Sequence, residues 1–187
     1  MTRARPGSPS TVRGFPRFGW SGSARSAPGA LTLVAALALN LASCGTSTAR
    51  PGAGPTRFPT GTARVISGVG TLRVQVEIAA SEAERRVGLS ARDTLPENEG
   101  MIFLFEEEQP GSSGFWMYRT RIPLSIAYLD ADGTIVSILE MEPCTRRISL
   151  FCRRYPPRVP YSAALEMHGG FFDRHGVMVG DRVDLLR

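Results

Sequence analysis

Three cysteines and two histidines are the groups in this 187-residue chain best suited to hold a metal or drive nucleophilic chemistry. Their spacing argues against the first. Cys144-x7-Cys152 and His168-x6-His175 do not fit zinc-ligand patterns and Cys-x-x-Cys is absent, so no metal site is expected. Nor does a Gly-x-Ser-x-Gly elbow or a His-Glu-x-x-His motif give either histidine a partner. His168 and His175 read as turn or surface residues. Asp130-Ala131-Asp132-Gly133 resembles part of a calcium loop but lacks the third ligand and the distal glutamate, so it reads as a hairpin turn. Gly68-Val69-Gly70 lacks the rest of a dinucleotide fingerprint, and no phosphate loop is present. No cofactor is expected.

The segment best suited to bind a ligand is Phe115-Trp116-Met117-Tyr118-Arg119. Strand alternation sends Phe115, Met117 and Arg119 to one face and Trp116 and Tyr118 to the other. An indole near a guanidinium can line a cleft, although Trp116 filling the core is the competing role. Glu166 stands among Ala163, Ala164, Leu165 and Met167, and a carboxylate buried there needs a cation or a donor. Arg119 is the candidate partner. Trp116, Arg119 and Glu166 in one pocket would suit a small polar or sugar-like ligand. The alternatives are a hydrolase using Glu166 or His168 as general base, or a structural assembly partner.

The elements that must position these residues are short strands. Leu72, Val74, Val76 and Ile78 alternate with polar residues, a strand with one buried face. Ser81-x-x-Glu84 is a capping box and Gly88 a stop, which predicts a short helix over Glu82 to Val87. Met101 to Phe105 is apolar throughout, as in a strand buried on both faces. Phe115 to Tyr118 and Ser125 to Leu129 predict further strands, and Asp132-Gly133 turns a hairpin into Ile135 to Leu139. Tyr161 to Met167 and Arg182 to Leu186 close the domain, with a short helical piece from Phe171 to His175 between them. Many short strands with little helix predict a mostly-β fold, a β-sandwich or open barrel with one or two short helices.

Charge excludes one class of partner. The 22 basic residues are all arginine against 17 acids, a net +5. Residues 1–43 hold five arginines and no acid, which leaves 17 against 17 from Cys44 onward. The body therefore has no overall basic excess, and no nucleic-acid partner is expected. Ala30 to Leu39 is an apolar run of ten, spanning about 15 Å as a helix and too short to cross a bilayer core of roughly 30 Å. With arginines before it and small residues after, residues 1–43 read as a secretory signal. Leu41-Ala42-Ser43-Cys44 matches a lipobox, which predicts an acylated Cys44, export, and membrane anchoring in the cell envelope. Residues 44–63, rich in Gly, Pro and Thr, read as a tether, and 64–187 as one β-rich domain. Cys144 and Cys152 remain in an exported chain and are expected to form a disulfide, with free thiols as the alternative.

Several motifs then stand in a familiar order. Glu84-Arg85-Arg86-Val87-Gly88-Leu89, Gly100 to Phe105, Phe115-Trp116-Met117 and Ile122-Pro123-Leu124 are followed by Phe151-Cys152 to Tyr155, Leu165-Glu166 and Gly180 to Val183. Across Leu72 to Leu186 the chain resembles the exported domain of unknown function 192 family. The resemblance implies a compact β-sandwich-like fold with one short helix and brings no established activity. Two positions depart from the family pattern. Tyr118-Arg119 replaces Lys-Asn after Trp116-Met117, and Ser125 replaces an aspartate after Pro123-Leu124. Any chemistry of that amide and carboxylate does not carry over to Arg119 or Ser125.

Overall fold

A computed structural model describes residues 58–186. The expected signal segment, the expected lipid site at Cys44 and most of the expected tether lie outside the described residues.

Strand β1 (Thr60–Ser67) turns through Gly68-Val69 into β2 (Gly70–Ala79), paired antiparallel from Thr60 opposite Glu77 to Ser67 opposite Gly70. Helix α1 (Glu82–Val87) follows and is capped as its sequence predicts. The Glu84 amide donates to Ser81 Oγ at 3.2 Å, and the Ser81 amide donates to Glu84 Oε2 at 2.8 Å. Gly88 ends it at φ 50°, a left-handed value that glycine adopts without a Cβ clash. The crossover delivers β3 (Glu99–Gln109) parallel to β2.

After β4 (Phe115–Trp116) come the antiparallel pair β5 (Leu124–Leu129) and β6 (Ile135–Met141), a 3-10 turn at Ser149–Phe151, and β7 (Arg154–Tyr155). Strand β8 (Tyr161–His168), helix α2 (Phe171–Arg174) and β9 (Arg182–Leu186) complete the domain. Seven strands form one sheet in the order β6-β5-β8-β3-β2-β1-β9, and β4 with β7 makes a separate two-stranded ribbon.

The large sheet curls. Its two edges meet at one end, where Thr134 bridges Arg182, the Ile135 amide donates to the Asp181 carbonyl and the Val183 amide donates to the Gly133 carbonyl, both at 2.8 Å. Val65, Val76, Ile102, Leu165 and Val183 fill the enclosed face, plugged by Phe171 and Phe172 of α2. A second core lies on the other face of the central strands. There Met101, Phe103, Ile126, Tyr128 and Ala164 are covered by Leu89, Met117 and Tyr155 from the loops and the ribbon. The mostly-β, open-barrel-like architecture with two short helices is the predicted one.

Two sequence expectations change. The tether ends earlier than residue 63, because Thr60 already pairs with Glu77 and Ala63 is fully buried between β2 and β9. Composition marks this segment as unable to form a core, yet hydrogen bonds from two neighbouring strands hold it. The strand expected over Phe115 to Tyr118 stops at Trp116.

Candidate functional site

Glu166 sits in the middle of β8, paired with Met101 of β3 on one side and Ile126 of β5 on the other. Period-2 alternation puts it on the same face as Ala164, within the second core. It is 4% exposed. No donor among the described residues stabilises its carboxylate, and burial alone pushes its pKa up to about 8. Beside it, Tyr128 and Tyr161 pack edge to face at 4.8 Å. Burial pushes the Tyr161 phenol up to about 12 and raises Tyr128 as well.

The Glu166 side chain borders a cavity of about 30 Å³, with room for about one water. Phe103, Phe115, Trp116, Met117 and Thr120 line it, together with Arg85 to Val87 at the end of α1 and Gly88 to Ser90 just after it. Three anchors hold this cover in place. Arg85 Nη1 donates to the carbonyls of Leu104, at 2.9 Å, and Ala80, tying α1 to the sheet. Tyr128 donates its hydroxyl to the Tyr155 carbonyl of β7. Trp116 pairs with Arg154 across the ribbon, and the Arg154 guanidinium lies 4.8 Å over the indole. Trp116 is 37% exposed, so it forms a rim and does not fill the core.

Two of the three expected residues therefore meet, and Arg119 does not join them. Beyond Trp116 the chain turns: the Thr120 amide donates to the Met117 carbonyl at 2.9 Å, and Arg119 takes the left-handed φ of 60°. Strand alternation no longer applies past that point. Met117 and Thr120 face inward, while Arg119 lies exposed with its guanidinium 5.3 Å over the Tyr118 ring. The expected Arg119–Glu166 pair does not form. Thr120 and the α1 terminus were not foreseeable as lining residues, since only the tertiary packing brings them to Glu166.

The histidines belong to a different place. Arg174 donates from Nη2 and Nε to Glu97 Oε1 at 2.7 and 3.0 Å, with His175 Nε2 3.6 Å and His168 Nδ1 4.0 Å from the same carboxylate. Arg174 holds the Glu97 carboxyl below its ordinary range. His175 and Arg174 also border an open cleft of about 470 Å³ beside the β1–β2 turn. His168 does not line the Glu166 cavity. Ser125 has a structural role: its hydroxyl donates to Glu140 Oε1 at 2.6 Å and accepts from the Gly170 amide at 2.7 Å, bracing the entry to α2. Cross-strand Glu140 thus supplies a carboxylate beside the position where the family pattern has its own. Cys144 and Cys152 form the expected disulfide, with Cα atoms 5.8 Å apart.

These features define a curled β-sheet domain with an unpaired carboxyl buried beneath an aromatic ribbon. Residues 64–185 match the family model described as DUF192, Uncharacterized ACR, and the chain belongs to that family. The matched span begins within β1, earlier than the motifs alone indicated.

Among solved structures, a Sinorhizobium meliloti 1021 protein provisionally described as a transcription regulator is 30% identical, with a TM-score of 0.63. The match covers 71% of this chain and 98% of that one. A protein of unknown function from Novosphingobium aromaticivorans DSM 12444 is 31% identical with a TM-score of 0.58, covering 75% of this chain and 99% of its own. No functionally curated protein matches the sequence.

Proposed function

We propose that this is a small-ligand-binding module of the cell envelope, anchored through an acylated Cys44, that recognises its ligand through Glu166 and Trp116. The observation that carries the ligand reading is the Glu166 carboxyl, buried without a donor among the described residues and bordering a cavity rimmed by an indole. Carboxyls perturbed by burial in this way concentrate at functional sites.

With a pKa raised to about 8, the group is mostly protonated at neutral pH and offers one O–H donor and one acceptor oxygen. That pairing suits a neutral hydroxyl. The cavity of about 30 Å³ admits one such group and not a whole molecule, so the rest of the ligand would lie against the exposed face of Trp116. A neutral sugar, with hydroxyls and an apolar ring face, has both features. The anchoring rests on the arginines, the apolar run and the lipobox of residues 1–44.

Calorimetric titration of the mature chain with glucose, galactose and N-acetylglucosamine tests the ligand reading. At least one should bind, and Glu166→Leu and Trp116→Ala should each weaken it by roughly tenfold. Binding by none of the three, or binding that neither substitution changes, would reject it.

A further inference from the structure

We infer that the disulfide-closed loop between β6 and β7 is a docking tip for bilayers that carry anionic lipid. Cys144 and Cys152 tie the base of this loop, and the 3-10 turn Ser149–Phe151 shapes its end. Three apolar side chains project from it: Ile148 is 57% exposed, Leu150 84% and Phe151 66%. None of them belongs to either core. Adjacent exposed aliphatic and aromatic groups of this size mark an interaction surface.

Arg146 and Arg147 precede the tip, and Arg153 and Arg154 follow it. The loop from Glu142 to Arg153 contains three arginines and one acid, whereas residues 58–186 as a whole hold 14 arginines and 17 acids. Outside the loop that leaves 11 arginines against 16 acids. Positive charge is therefore concentrated around the apolar tip of an otherwise acidic domain. Apolar side chains entering the boundary of headgroups and acyl chains, with guanidiniums against lipid phosphates, is the arrangement of an interfacial anchor.

The loop is held in shape before any encounter. The Tyr118 hydroxyl donates to the Arg147 carbonyl at 3.2 Å, and the Arg119 amide donates to the Cys144 carbonyl at 3.0 Å. Tyr118, which makes the first of these bonds, is an aromatic residue of the kind enriched at headgroup level. An acidic protein would match the charge but would also need a pocket for Leu150 and Phe151. An anionic bilayer accommodates both without one. The inference stands apart from the ligand reading, because Ile148, Leu150 and Phe151 do not line the Glu166 cavity.

The Sinorhizobium chain is matched over 98% of its length, so this domain alone makes a folded chain. Residues 58–187 are thus the unit to test, free of the apolar run that would itself enter lipid. The experiment is co-sedimentation with vesicles of phosphatidylcholine mixed with phosphatidylglycerol, against phosphatidylcholine alone. Binding to the anionic vesicles should be roughly tenfold stronger or more, and free glycerol phosphate should not compete. The paired substitutions Leu150→Asp with Phe151→Asp, and Arg146→Glu with Arg147→Glu, should each weaken it by roughly tenfold or more. Thermal midpoints should stay unchanged, because all four side chains are exposed. Equal binding to both vesicles, or an Asp double variant that sediments like the parent, would overturn the inference. So would binding to neither, the outcome an acidic protein partner would produce.

Discussion

Glu166 and Trp116 come from different sheets and border the same cavity, the carboxyl buried within it and the indole at its rim. The β4–β7 ribbon makes this meeting possible by laying Trp116 over the outer face of the strand that carries Glu166. Stability and the proposed recognition would be coupled there, since whatever loosens the ribbon also opens the carboxyl to water.

Stability should depend on pH through Glu166. Its pKa rises from the ordinary 4.5 to about 8 on folding, so between those values the folded chain holds a proton that the unfolded chain has released. Stability must then fall as pH rises through the window, by up to about 1.4 kcal/mol per pH unit, and level off above it. Urea unfolding of the parent and of Glu166→Gln from about pH 5 to pH 8 isolates this contribution, because the variant removes only the titrating group. Matching pH slopes in the two proteins would contradict it.

Tyr128→Phe should destabilise the domain by about 1–3 kcal/mol, since the Tyr155 carbonyl would lose the hydroxyl that donates to it. The ribbon should loosen, visible as weakened near-ultraviolet circular dichroism from Trp116. An unchanged unfolding midpoint would mean that packing alone holds the ribbon.

Gly100→Ala should cost about 3 kcal/mol or more. A Cβ at that position would stand 2.3 Å from the Glu166 carbonyl oxygen and 2.4 Å from Met167 Sδ. The carbonyl belongs to the paired strand β8 and cannot swing away, so β3 and β8 must separate locally. A chemical-denaturation midpoint close to that of the parent would show that the pair can yield.

The lipobox at Leu41 to Cys44 predicts a mature chain that begins at Cys44 and carries a diacylglyceryl group there. Intact-mass and peptide analysis of protein taken from native membranes should find both features. A peptide from upstream of Cys44 in the exported protein would refute the assignment.

Local rules made most of the strands readable, because their determinants are themselves local. Alternation from Leu72 to Ile78, the Ser81–Glu84 capping box and the Asp132-Gly133 turn each settle a backbone choice within a few residues. The motifs from Glu84 to Val183 likewise sufficed for the family, and two cysteines left over in an expected export context for the disulfide. Strand β1 was not anticipated, because its first half, Thr60 to Ala63, is stabilised by hydrogen bonds from β2 and β9 and carries little hydrophobic pattern of its own.

The site divides the same way. Glu166 among apolar neighbours announces a buried carboxyl, since Ala164 on its own face and Ala163, Leu165 and Met167 on the other mark a strand covered on both sides. Its partners are another matter. Arg119 seemed a suitable cation by type, but a left-handed turn sends it outward, and Thr120 takes the inner position instead. Such a turn depends on the Cys144 carbonyl that accepts from the Arg119 amide and on the Ala91 amide that donates to the Arg119 carbonyl. Those groups come from distant parts of the chain, so no pattern within the segment could have reported where its side chains would point.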